Sequence, residues 1–280
     1  MIKYYIVDAF ASQPFGGNPA GVVLLDTGDF PSERLMLQIA AELRFSETAF
    51  VKRLSTQEFA LRYFTPNAEV DVCGHATIAA FFLLHNTGQA ATGHCICHTH
   101  AGNLRVEANS QVMMQMPKTR IVTTITNHAE IYNALGISGY RPTLPVQVVY
   151  AGLSDIMLPL PDVATLQSLS PNMAAIANIC ERHEAVSIHP FAMANDGYTA
   201  HVRNFAPLYG IPEESATGTA NASLAHYLNL HNRIDANAEC AFIQGEAMGR
   251  PSVIATKTLP DGALLMGGTA TVVAEGKLRV

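Results

Sequence analysis

Cys73 and His75 stand two residues apart in the stretch RYFTPNAEVDVCGHATIAA, Arg62 to Ala80, where a strand and a loop give way to an Ala-rich run of helical character. A thiol beside an imidazole can attack an electrophile or hand on a proton. The start of a helix exposes unpaired N–H groups and the positive end of its dipole, which disfavours a second positive charge. His75 is therefore expected as a neutral ring that donates a hydrogen bond. Glu47 is the third candidate. It lies in FSETAFV, residues 45–51, which alternates as a strand does and puts Phe45, Glu47, Ala49 and Val51 on one face. A carboxyl among apolar neighbours has its pKa raised towards the range in which it can take a proton from carbon and return it. From pattern alone, Glu47 reads equally as a solvent-facing edge residue, because acidic side chains are seldom buried.

The Cys-Gly-His turn has an echo. Arg203 to Ala225 reads RNFAPLYGIPEESATGTANASLA, with the same R-x-F-x-P opening, a loop, a Gly-centred turn and an apolar run. Thr217-Gly218-Thr219 answers Cys73-Gly74-His75, and Glu214 precedes it. Internal repetition points to two related halves. The N–H groups around Gly74 and Gly218 could hold a substrate carboxylate, with Asn18 of the Gly-Gly-Asn-Pro loop as a further donor.

Two other stretches invite a cofactor reading and fail. His94-Cys95-Ile96-Cys97-His98-Thr99-His100 carries zinc-type ligands, but on a strand Cys95 and Cys97 point opposite to His94, His98 and His100, so no tetrahedral set forms locally. Gly16 to Gly21 lacks the glycine order and βαβ setting of a dinucleotide site. Neither a metal nor another cofactor is expected.

The elements that must position these groups follow from periodicity. Strands are predicted over residues 2–10, 21–25, 45–51 and 59–64, with alternating runs around Leu104 to Val106 and Val112 to Met116. Ser32 should cap a helix running to Leu43, and residues 76–85 should form a helix with Ile78, Phe81, Phe82 and His85 along one stripe. Asn127, Glu130 and Gly136 predict a capped helix, and Pro171 the first turn of another. Further strands are expected at 146–150, 156–159, 185–193 and 198–205, a helix at 220–230, and four strand-like runs thereafter.

The 280 residues suit one large domain or two of ordinary size, and the repeat favours two. Hydrophobic residues are 49% and charged residues 14%, enough for buried cores. A net charge of −6 with 17 scattered Lys and Arg argues against nucleic acid and anionic membrane as partners. No apolar run reaches the ~18 residues of a membrane span, and five cysteines without an export signal predict reduced thiols and a cytoplasmic protein.

Four motifs in order, VDAFASQPFGGNPAGVVLL (7–25), FSETAFV (45–51), RYFTPNAEVDVCGHATIAAF (62–81) and RNFAPLYGIPEESATGTAN (203–221), resemble the phenazine-biosynthesis-protein-like (PhzF) isomerases, a family similar in fold to diaminopimelate epimerase. The resemblance implies an α+β fold of two pseudo-symmetric halves, each an antiparallel sheet wrapped round a central helix, with the active site in the cleft between them. The halves would cover residues 1–120 and 121–267, with the last strand, about 268–280, returning to the first. It implies a homodimer as well. Carried over by motif, the general acid/base falls on Glu47, the imidazole on His75, the second-repeat acid on Glu214 and a hydroxyl on Thr219; Asn18, Cys73, Gly74, Thr217 and Gly218 would line the substrate. Two positions depart from the family pattern, which usually has Asp at Glu214 and Pro at Ser215. Diaminopimelate epimerase uses two facing cysteines as bases, whereas here Thr217 stands opposite Cys73 in the repeat.

The implied activity is a one-base proton shift through Glu47 on a small carboxylate-bearing substrate. Epimerisation by Glu47 and Cys73 from opposite faces is the alternative enzyme reading, and a ligand-binding protein without catalysis is a third.

Overall fold

The computed structural model describes residues 1–25 and 28–280, in two compact units: Met1–Gln115 with Gly267–Val280, and Met116–Met266. In the first, β1 (Ile2–Ala9), β2 (Asn18–Leu25), α1 (Glu33–Leu43), β3 (Thr48–Arg53), β4 (Glu58–Phe64) and β5 (Glu69–Val70) lead into α2 (Gly74–Asn86), followed by β6 (Gly93–Thr99), β7 (Gly102–Ala108) and β8 (Val112–Gln115). The second holds β9 (Arg120–Thr124), α3 (Ala129–Ala134), β10 (Gln147–Tyr150), β11 (Ser154–Pro159), α4 (Val163–Gln167), α5 (Met173–Arg182), β12 (Ser187–Met193), β13 (Ala200–Val202), α6 (Gly218–Leu230), β14 (Glu239–Gln244) and β15 (Ser252–Thr258). The chain then leaves through β16 (Leu264–Gly268), and β17 (Ala270–Leu278) pairs along the whole of β1.

Pairing in each unit is mostly antiparallel, with parallel exceptions in both: β2 with β3 and β4 with β6 in the first, β11 with β12 and β13 with β14 in the second. Around these sheets the two long helices are central. α2 packs on β1, β2, β3, β7, β8 and β17, and α6 on β10, β11 and β15. The expected stripe on α2 is therefore replaced by burial on nearly every side, with Phe82 and His85 only half-buried. A helix clasped by a curved sheet has no solvent face to keep polar, which is why its small Ala positions suit close strand approach.

The repeat is physical as well as textual. Arg62 forks onto Glu69 through Nε and Nη2 at 2.7 and 2.5 Å, and Arg203 forks onto Glu213 at 2.8 and 2.8 Å. Each guanidinium also lies over the Phe two residues on, Phe64 at 5.3 Å and Phe205 at 4.9 Å. Same-face spacing of two on an extended chain makes the Arg-x-Phe stack, and the fork holds the planar group in place.

Local details correct several expectations. Ser32 caps α1 as predicted, its Oγ accepting from Leu35 N, a contact worth ~1 kcal/mol. Asn127 does not cap α3; His128 takes the N-cap position and makes no side-chain cap bond. Pro171 lies ahead of α5, whose cap is Asn172, with Oδ1 accepting from Ala175 N. α4 went unpredicted, although Asp162 caps it through Thr165 N at 2.7 Å. All five cysteines are free and buried. Among the described residues no helix is long and apolar enough to cross a membrane.

Candidate active site

Glu47 does not lie on a strand. β3 begins one residue later at Thr48, and Glu47 ends the short turn that follows α1. Its carbonyl accepts from Gly21 N at 3.2 Å, the first link of the parallel β2–β3 pairing in which Gly21 faces Thr48. Gly21 is needed there, because a Cβ would sit 2.6 Å from Thr48 Oγ1. Glu47 therefore shares no strand face with Phe45, Ala49 and Val51: its side chain is half-buried, 21% exposed, and its neighbour is polar. Glu47 Oε2 stands 3.5 Å from His75 Nε2.

His75 is the second residue of α2 and only 7% exposed. Ser46 Oγ approaches the same Nε2 at 3.4 Å, and Cys73 Sγ lies 3.4 Å from Nδ1. Burial pushes the ring's pKa below its ordinary value, and the charge of Glu47 pulls it part of the way back. The neutral tautomer that satisfies both edges has S–H donating to Nδ1 and Nε2–H donating towards Glu47. These contacts are at the long end for hydrogen bonds.

The start of α2 is pinned from behind. Cys73 is the N-cap in extended conformation, and its carbonyl accepts from Thr77 N at 3.0 Å and Thr77 Oγ1 at 2.6 Å. With its proton so committed, Thr77 Oγ1 accepts from Tyr63 OH at 2.7 Å. Gly74 opens the helix. Asn18 is buried at the first residue of β2, where Gly17, at φ +61°, lets the chain pass so close to Ala9 that a Cβ would lie 2.1 Å from its carbonyl oxygen.

Glu47, Cys73 and His75 offer ligand atoms within 4.8 Å of one another, a metal-capable group that the sequence did not single out. Thiol and carboxylate approach opposite nitrogens of one ring, so the arrangement suits hydrogen bonding along the ring better than convergence on one ion. In the other stretch weighed for metal, Cys95 and Cys97 are buried, while His94, His98 and His100 face Glu107, Glu58 and Glu69. Burial pushes the Cys97 thiol up to about 12.

In the second unit, Thr217 is the extended N-cap of α6, Gly218 opens the helix, and Thr219 is half-buried with its methyl group towards Gly152. Thr217 Oγ1 donates to Glu214 Oε2 at 2.5 Å. As in α2, the side chain four residues on returns to the cap carbonyl: Asn221 Nδ2 donates to Thr217 O at 3.0 Å. Here, however, Thr217 N–H donates to Gln244 Oε1 at 3.1 Å and is not open to an anion. The structure thus assembles Glu47, Cys73 and His75 in one unit and Glu214 with Thr217 in the other. Ser46, Asn221 and Gln244 were missed, having no short-range signal beyond the echo of Thr77 in Asn221.

The pattern of the phenazine biosynthesis-like protein family matches residues 7–276. The chain belongs to that family. An uncharacterized isomerase of Deinococcus radiodurans is 36% identical over 294 residues, covering 99% of this chain and 94% of the relative. The trans-2,3-dihydro-3-hydroxyanthranilate isomerase of Pseudomonas fluorescens is 32% identical over 265 residues, covering 92% and 90%. The crystal structure of a Bacillus anthracis PhzF-family phenazine biosynthesis protein superposes with TM-score 0.88, covering 100% of this chain and 99% of the other at 24% identity, a likeness of fold. The family is thus one whose named members include isomerases, and its fold is the helix-centred pair of units described above.

Proposed function

We propose that this chain is a cofactor-independent isomerase that moves a proton on a small carboxylate-bearing metabolite, with Glu47 as the one shuttling acid/base. The observation that carries the reading is the partly accessible Glu47 carboxylate beside the buried imidazole of His75 at the start of α2. In the reaction, the carboxylate takes a proton from a substrate carbon whose C–H electron pair passes into the adjoining π system. The resulting carboxylic acid then returns the proton to the other end of that system, forming the new C–H bond and regenerating the carboxylate. His75, neutral and donating through Nε2–H, is assigned to orienting Glu47 and polarising the substrate. Asn18, Cys73 and Gly74 are assigned to lining it, and Glu214, Thr217, Gly218 and Thr219 to holding it.

The P. fluorescens relative makes trans-2,3-dihydro-3-hydroxyanthranilate the first substrate to try. In D₂O the product should carry deuterium at the carbon that receives the proton, less any fraction returned before exchange, and Glu47→Gln should abolish turnover. A panel of small cyclic and acyclic acids and amino acids extends the search. Solvent exchange into none of them, with binding retained, would support the non-catalytic reading instead.

The 3.4 Å approach of Cys73 Sγ to His75 Nδ1 favours a second reading, epimerisation in which Glu47 and Cys73 act on opposite faces. Full activity in Cys73→Ser removes it; inversion of a stereocentre that this variant loses establishes it. A homodimer is also proposed, to be read from sedimentation equilibrium.

A further inference from the structure

Gln244, the last residue of β14, is completely buried, yet its amide makes four hydrogen bonds. Oε1 accepts from Thr217 N at 3.1 Å and from Asn221 Nδ2 at 2.8 Å. Nε2 donates to Glu214 O at 2.7 Å and to Thr217 Oγ1 at 3.1 Å. The orientation is forced, since a flipped amide would set its NH₂ against two donors and its oxygen against a carbonyl. Because Thr217 Oγ1 accepts from Gln244, its own proton is directed at Glu214 Oε2.

The same unit buries a second polar run, from Asp155 to His189. Asn221 Nδ2 is spent on Gln244 and Thr217, leaving Oδ1 without a partner, and His189 Nε2 is likewise unpaired. His189 Nδ1 is the acceptor for Asn204 Nδ2 at 3.1 Å, which also donates to Ser187 Oγ at 2.7 Å. Ser187 Oγ donates in turn to Asp155 Oδ1 at 2.7 Å. Every member from Asp155 to His189 is nearly or wholly buried.

We propose that Gln244 is a positioning residue that fixes Glu214 and Thr217 at the start of α6, held in its single orientation by its bonds to Thr217, Glu214 O and Asn221, whose own amide is tied to Thr217 O. The proposal rests on the reading that Glu214 and Thr217 hold substrate. A buried amide with two acceptor and two donor bonds tolerates no other rotamer without orphaning several groups. It thereby gives Glu214, one carbon longer than the family's Asp, a defined place.

The test compares Gln244→Met, which keeps the bulk and removes every bond, with Gln244→Glu, which keeps the acceptor and restores a donor only when its carboxyl is protonated. In Gln244→Met, Thr217 N–H should lose its hydrogen-exchange protection, read as a protection factor against wild type, while amides of β11 and β12 keep theirs. With trans-2,3-dihydro-3-hydroxyanthranilate as substrate, Gln244→Met should lower kcat/KM by about 10²-fold at every pH, the scale of a misplaced contact. The Gln244→Glu to wild-type ratio should rise as pH falls from 8 to 5. Retained Thr217 protection in Gln244→Met, or a Gln244→Glu ratio flat in pH, overturns the proposal. Glu214→Gln separates it from the reading beneath it: wild-type kcat/KM there ends the substrate role of Glu214, while Thr217 exchange still decides whether Gln244 fixes the turn.

Discussion

Glu47 Oε2 and His75 Nε2 stand 3.5 Å apart although they are 28 positions apart in sequence, because β2 pairs with β3 and also packs against α2. A carboxylate that keeps solvent access on one side and an imidazole on the other can change protonation without leaving its place. Glu47→Gln preserves shape and removes the base, so kcat should fall by about 10² to 10⁴-fold, the usual contribution of a positioned acid/base, with substrate binding by calorimetry little changed. Glu47→Asp, one carbon shorter, should retain the pH profile at a lower kcat. Unchanged turnover in Glu47→Gln would falsify the assignment.

His75 should titrate below the ordinary histidine range, since burial opposes the charged ring. The neighbouring Glu47 charge works in the other direction, so removing it should lower the midpoint further. Side-chain NMR of His75 in wild type and Glu47→Gln checks both signs; a midpoint that rises in the variant would show that the ring is not controlled by this pair.

Glu47, His75 and the two Gly-opened helices were legible because residue type, turn chemistry and repetition coincide at them. The setting of Glu47 was misread as a strand face, because alternation in residues 45–51 cannot reveal that the ladder starts only at Thr48, where Gly21 admits close approach. Gln244 was invisible for a different reason: its four bonds reach back 23 to 30 residues and depend on strand β14 ending beside α6. Arg62 and Arg203 were visible as a repeated Arg-x-Phe, but their acids lie 7 and 10 residues on, at no common spacing. Asn127 lost the cap of α3 to His128 by a single position, an error that composition around a helix start cannot resolve.

Those two arginine forks differ in burial, with the Arg62 and Arg203 side chains 20% and 9% exposed. Less solvent around Arg203 means that removing Glu213 strands a charge that water cannot recover, and Arg203 also donates to Leu166 O. Glu213→Gln should therefore cost about 3 kcal/mol in urea unfolding, and Glu69→Gln nearer 1 kcal/mol. Equal costs would mean that the stacks on Phe64 and Phe205, rather than the forks, hold the two guanidinium groups.

Asp155 and His189 sit in one buried line yet respond oppositely to pH. Burial raises the Asp155 carboxyl to about 7 from 3.8, against the pull of the Ser187 hydroxyl, so between those values the folded chain binds more protons than the unfolded one. Stability from this group is full below about pH 4 and is lost as pH rises towards 7. Burial lowers His189 to about 3 from 6.5, with Asn221 opposing, so the folded chain binds fewer protons across that window and stability falls as pH drops through it. From pH 4.5 to 6 the two slopes, each about 1.4 kcal/mol per pH unit, cancel. Wild-type urea midpoints should thus vary little there on account of this pair. His189→Asn removes one side of the balance, and its stability should decrease with rising pH relative to wild type. Asp155→Asn removes the other, and its stability should increase with rising pH. Slopes of the same sign in the two variants would show that the pair is not held in these protonation states, and that the run from Asp155 to His189 is polarised differently from the donors and acceptors traced through it.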